Sequence, residues 1–401
     1  MLIPIRTPQK FSLLFSFLFL FTGFTAAETE LLSSQLEAQC TQGFEAIYQM
    51  DYKKGKEQFE KMIQSDPKHP AGYVYLASAI WLEHLSGLRR LQTQLYNRGN
   101  AFFRQKEDKT DPAVEKLFYR TIEKGMIRAE MRLRSDKKDL AGLYYAGTAH
   151  GAIAGYESTV KRTFLSSLKH GKEAVETHRK LLKNDPNFAD AYMSIGLYNY
   201  VIGKLPRAMR ILMVLGGVRG SKEEGLQQLE KTLHHGKLAR EEAAIILAVL
   251  YDREKRPQDS LKLLSRLSQK YPINPVFRFE SATMLTKLGR LPDSIAIHES
   301  LLKDEKARNY MLDFIQFDYA EILFSMGSWQ EAYERYLASR RVMENTPVGL
   351  ITMSHLRSGQ CLNAMGKNSE ASIEYQYVLK QPNIQGSSAL ANHYLKRPFR
   401  R

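Results

Sequence analysis

The sequence predicts an all-α protein, a solenoid of about eight stacked helix pairs, on three observations. Four 34-residue blocks follow one another with short joints between Glu241 and Asn383. Within each block a small residue recurs twelve positions later: Ala248 and Ser260, Ala282 and Ser294, Ala320 and Ala332, Gly359 and Ala371. Four residues after the second small position stands a bulkier side chain, Leu264, His298, Tyr336 or Tyr375. Two helices cross closely only where a side chain is missing from each, and the large residue then fills the gap beside the crossing.

Taken in order, residues 1–27 read as a secretory signal. Arg6 and Lys10 precede an apolar core from Phe11 to Phe21, and Thr25, Ala26 and Ala27 are small residues for cleavage before Glu28. That core falls short of the roughly 20 residues a bilayer-spanning helix needs. Residues 28–384 are read as the solenoid. Its first unit, 28–69, carries Gly43, Gly55 and Phe59 on the register. It stops at Pro67, because the residue before a proline is pushed to extended backbone. The next three units, 70–240, are enlarged. In the second, Tyr73 and Ala77 are followed by a charged break, Lys106 to Pro112, and a fresh helix, Ala113 to Arg134. In the third, Gly147 and its partner Ala174 stand 27 residues apart; in the fourth, Gly196 and Gly225 stand 29 apart. The four regular units fill 241–383, and a basic tail, 385–401, is expected to fray.

The composition, 43% hydrophobic and 25% charged, is that of a folded, water-facing chain. Its formal charge of +15 comes from 58 Lys and Arg against 43 Asp and Glu, and removing Arg6 and Lys10 with the signal leaves +13. An anionic partner suits that charge, while export takes the chain away from nucleic acid. The two cysteines, Cys40 and Cys361, fall in the first and last units. In an extended solenoid they stand too far apart for a disulfide, so two free, buried thiols are expected. No metal, cofactor or small-molecule substrate is expected, and no enzymatic activity. His234 and His235 are adjacent and so point about 100° apart on a helix, and Gly216 to Gly220 follows an apolar helix with no strand before it.

From Cys40 to Asn383 the spacing of small residues resembles the tetratricopeptide-repeat family. Tyr192 to Tyr251, with Gly203-Lys204-Leu205-Pro206, Gly216-Gly217-Val218-Arg219-Gly220 and Gly225-Leu226, resembles more narrowly the inclusion-body-clearance family of eukaryotic tetratricopeptide proteins. The resemblance implies a right-handed superhelix whose first helices line a concave face. It places Ile245, Phe279, Phe317 and Leu356 at the fifth position of those helices. Val276, Phe314 and Met353 fall at the second position and Phe324 at a twelfth. A groove lined in this way fits an apolar peptide or amphipathic helix of another protein. The Lys, Asn and Arg set of the carboxylate-clamping members is missing, so capture of a chain terminus is not implied.

The function expected is therefore a non-catalytic protein-binding scaffold, exported to the periplasm or cell envelope. The alternative is a peripheral binder of an anionic membrane or envelope polymer, using the basic enlarged units, the tail, and Arg207, Arg210 and Arg219. The stretch Leu205 to Val218 is expected to be buried, since a run apolar on all sides normally packs against its neighbours.

Overall fold

A computed structural model describes residues 31–91, 111–215, 219–340 and 346–400, with the side chains of 212–215 left aside. The signal segment and most of the charged break lie outside these residues. The chain pairs its helices in order. The first pair is α1 (Ser34–Tyr48) with α2 (Tyr52–Ser65), and the second α3 (Ala71–Gly87) with α4 (Pro112–Ser135). The third is α5 (Leu140–Tyr156), continued by a π-helical turn (Glu157–Lys161), with α6 (Phe164–Asn184). The fourth is α7 (Tyr192–Lys204) with α9 (Lys222–His235), and the short α8 (Arg207–Leu215) lies between them in sequence. Then come α10 (Arg240–Arg253) with α11 (Pro257–Lys270), and α12 (Pro275–Lys287) with α13 (Leu291–Lys303). The last pairs are α14 (Glu305–Met326) with α15 (Trp329–Arg340), and α16 (Val348–Ala364) with α17 (Asn368–Leu379), followed by α18 (Ser387–Lys396). No strand occurs among the described residues.

Local chemistry sets the helix ends. The carboxylates of Asp51, Asp111, Asp139 and Asp304 accept hydrogen bonds from the first-turn N–H groups of α2, α4, α5 and α14. Proline opens α4, α11 and α12, where its missing N–H costs nothing. Gly327, at φ 83°, ends α14 in the left-handed conformation that glycine adopts without strain.

The close crossings fall on the predicted small residues. Ser294 Oγ donates to Ala282 O at 2.8 Å. Ala320, Ala332 and Tyr336 are fully buried together in one cluster. A Cβ on Gly359 would lie 2.5 Å from the Tyr375 ring, and one on Gly43 would lie 2.4 Å from the Phe59 ring. In the third pair the crossing survives the longer interval: a Cβ on Gly147 would meet the His178 ring at 2.3 Å. His178 stands four residues after Ala174, so the additional residues lengthen both helices beyond the crossing and leave the register intact. In the fourth, a Cβ on Gly225 would lie 2.5 Å from Tyr200 N, so backbone meets backbone.

Three expectations need correction. The tail does not fray through its whole length: α18 packs on α16 and α17, burying Ser387 and Ala391, and Phe399 stacks near Phe324 at 5.9 Å. The stretch after Leu205 is not buried over Pro206–Ile211. Met209 is 38% and Ile211 53% exposed, and among the described residues no helix packs extensively on α8. Finally, the solenoid is not extended as the cysteine reading took it to be: unit one touches the middle of the array. Asn274 Nδ2 donates to Tyr48 O at 2.9 Å, Lys306 Nζ to Gln49 O at 2.8 Å, and the Tyr48 and Tyr271 rings lie 5.1 Å apart. The coil is tight enough for early helices to reach residues more than 200 positions away.

Candidate functional site

The expected partner-binding residues fall on the first helices of units five to eight, and the structure divides them. Phe279 (1% exposed), Phe317 (4%) and Leu356 (1%) are core side chains that present no surface to a partner. At their positions the helix faces its neighbours, and Phe317 meets the Tyr336 ring at 5.7 Å. Val276 is also buried. Ile245, Phe314, Phe324 and Met353 are half-buried. Phe324 lies under the Arg357 guanidinium at 4.8 Å, and Met353 packs between two core clusters. Ile245 and Phe314 face a different neighbour, the chain's own residues after α3.

Those residues, Leu88 to Leu91, run against α10, α12 and α14. Arg89 adopts a left-handed backbone, φ 56°, unusual for a side chain of its size. Its guanidinium holds Asp313 in a two-pronged pair: Nη1 donates to Oδ2 at 2.9 Å, and Nη2 donates to Oδ1. Both side chains are buried, at 7% and 0% exposure. The same guanidinium lies 4.9 Å from the centre of the Phe314 ring, a desolvated cation over an aromatic face. Tyr310 OH donates to Ser86 O at 3.4 Å beside it, and burial raises the Tyr310 phenol above its ordinary range. Arg90 turns the other way and donates to Thr159 O at 2.9 Å and Val160 O at 3.1 Å, carbonyls of the π-helical turn. Leu91 closes one side of a small apolar cavity with Ile245, Val249, Val276 and Met284. The segment thus spans from the third unit to the seventh, and a buried ion pair of this geometry strongly opposes removal of either partner.

Beside this line lies a polar cleft of ≈ 640 Å³ between unit one and the joint of units five to seven, lined by Glu45, Gln49, Asp51, Lys54, Lys270 and Lys306. Burial lowers the Lys306 ammonium pKa, and that ammonium already donates to Gln49 O.

Arg207, Arg210 and Arg219 are exposed, and Arg210 reaches Gly203 O at 3.4 Å. Cys40 and Cys361 are free and buried, with both thiols pushed up to about 12 by burial; such thiols stay protonated and unreactive at neutral pH. Among the described residues no three His, Cys, Asp or Glu side chains gather as a metal site. Sequence reading did not single out Arg89, Arg90, Leu91 or Asp313. An Arg pair after an apolar helix is the only local sign, and nothing local joins it to a carboxylate 224 positions on.

No curated protein matches the sequence. Among solved structures, yeast Tom70 is similar at 13% identity over 91% of this chain and 89% of its own, with a TM-score of 0.39. A tetratricopeptide repeat protein from Parabacteroides merdae is similar at 13% identity over 80% of this chain and 99% of its own, TM-score 0.33. The human IFIT1 dimer with m7Gppp-AAAA is similar at 14% identity over 92% of this chain and 82% of its own, TM-score 0.43. The helix pairs and their small-residue crossings are those of the tetratricopeptide-repeat type, and residues 189–346 match the profile of the family described as Iml2/Tetratricopeptide repeat protein 39.

Proposed function

We propose that this chain is a non-catalytic scaffold, exported to the periplasm or cell envelope, that holds an extended segment of another protein on one face of the first helices of units five to seven. One observation carries the reading: Leu88 to Leu91 already occupies that face as a peptide ligand would. Arg89 is bound by Asp313 and Phe314, and Leu91 is seated against Ile245 and Val276. A partner segment with an arginine flanked by aliphatic residues would find the same pocket and carboxylate, with main-chain and side-chain contacts of the kind used in peptide recognition. In this reading the chain's own segment and the partner compete for one place.

The test is chemical rescue. Arg89→Ala leaves the Asp313 carboxylate buried without its guanidinium and should cost about 3 kcal/mol of stability. A hexapeptide with the sequence of residues 86–91 should then raise the Tm of that variant by about 2 °C or more, while wild type, with its site filled, does not respond. The double variant Arg89→Met/Asp313→Leu, which keeps the site apolar, should show no rescue. A peptide that stabilises none of the three proteins would end the proposal.

A further inference from the structure

We propose that the outward faces of α4, α6 and α8 form a second interaction surface, and that its partner is an anionic phospholipid bilayer. The surface is distinct from the peptide site, and the two can fail separately. On α4 the side turned away from α3 and α5 carries Leu117 (50% exposed), Ile127 (47%) and Met131 (50%). Between them stand the exposed Lys116, Arg120, Lys124 and Arg134, opposed by Glu123 and Glu130. These positions share one face because residues three, four and seven apart line up along a helix. On α6, Leu165 is 78% exposed, and Lys169, Lys172, Arg179, Lys180 and Lys183 are exposed against a single exposed acid, Glu176. On α8, Arg207, Met209, Arg210 and Ile211 are all exposed, with no acidic residue on the helix.

The two long helices both pack on α5. Each is the second helix of its pair, and each turns the face described above to solvent. The excess positive charge on all three helices is what a headgroup layer of acidic lipid complements, at about 1 kcal/mol for each Lys or Arg brought to it. The aliphatic side chains among the charges supply what charge alone does not, an apolar contribution on entering the boundary between headgroups and acyl chains. A single-stranded nucleic acid would call for aromatic platforms on which bases stack; the apolar residues exposed on these faces are Leu, Ile and Met. No described helix is long and apolar enough to cross a membrane, so contact would be peripheral. α8 offers Met209 and Ile211 between arginines with no acid on the helix to oppose the headgroups.

Sedimentation with vesicles tests this. The purified chain should bind vesicles containing about 30 mol% phosphatidylglycerol and not vesicles of phosphatidylcholine alone, at about 50 mM NaCl. Raising salt to about 500 mM should weaken binding about 10-fold or more. Lys169→Glu/Arg179→Glu should reduce binding about 10-fold or more. Met209→Asp/Ile211→Asp should reduce it about 10-fold at both salts, with unfolding midpoints unchanged because both residues are exposed. Absence of binding to the acidic vesicles would overturn the proposal. So would binding that the Met209 and Ile211 substitutions leave intact, or equal retention by a soluble polyanion that they leave equally intact, since either result would describe charge attraction without a bilayer. Failure of the peptide rescue at Asp313 would leave these outcomes untouched.

Discussion

The third and fourth helix pairs and the four regular pairs that follow solve one packing problem with different chain lengths. In the regular pairs the two small residues lie twelve apart and a turn of a few residues joins the helices. In the third and fourth pairs they lie 27 and 29 apart, yet the crossings are at least as close: Gly147 against His178, and Gly196 against Gly225. The repeat is therefore defined by where two backbones touch, and the interval between the touching points is free to grow. The added chain either prolongs both helices, as in the third pair, or forms a helix of its own, as α8 does in the fourth. What is added this way owes nothing to the crossing and is available for new surface.

Three substitutions sharpen that contrast. Largest in effect should be Asp313→Ala, which removes the buried carboxylate that pairs with Arg89 and ties the inserted segment to the regular units; a loss of about 4 kcal/mol is expected in urea unfolding. A loss under about 1 kcal/mol would mean that the enlarged and regular halves are held together elsewhere. Next comes Gly225→Ala. Its Cβ would lie 2.5 Å from Tyr200 N and 2.6 Å from Gly196 O, backbone atoms that cannot rotate away, so about 3 kcal/mol is expected. The control in a regular pair is Gly349→Ala, whose Cβ would sit 3.5 Å from Ile384; it should be neutral or stabilising by up to about 1 kcal/mol.

A pH-dependent effect compares two buried histidines at equivalent positions. His178 donates from Nε2 to Tyr144 O at 3.0 Å, which leaves its neutral Nδ1 to accept from Ser194 Oγ at 2.6 Å, and burial lowers its pKa to about 4. His298, in a regular pair, is lowered by burial as well. Because the folded value is the lower one, the unfolded chain takes up the proton first. The contribution is intact above about pH 6.5 and is lost progressively down to about pH 4, reaching about 2 kcal/mol from His178 by pH 5. Urea titrations at pH 7 and pH 5 should show His178→Leu shrinking the difference, with a remainder to which His298, His84, His150 and His170, all lowered by burial, contribute. An unchanged difference would remove His178 from the acid response.

The helix pairs and their crossings were legible in the sequence because each crossing joins residues close along the chain. Ala282 and Ser294 announce themselves by spacing, and so do Gly43 with Phe59 and Gly359 with Tyr375. Even Ala174 and Gly225, displaced from the standard interval, were found because a small residue followed four later by a large one marks the second helix. The basic residues of α8 were legible too, but the exposure of Met209 and Ile211 was not: an apolar run reads as buried, and among the described residues no helix packs extensively on this one. The tail misled for the converse reason, since Ala391 and Phe399 gain burial from neighbours in the last pairs.

The sequence by itself determined an all-helical array and the points where its helices touch, because those are set by side-chain size at short, fixed separations. Only the tertiary structure decided that residues 88–91 run against α10, α12 and α14 and that Arg89 meets Asp313. That contact depends on small rotations accumulated from pair to pair until the coil returns on itself, and no single stretch of residues records their sum.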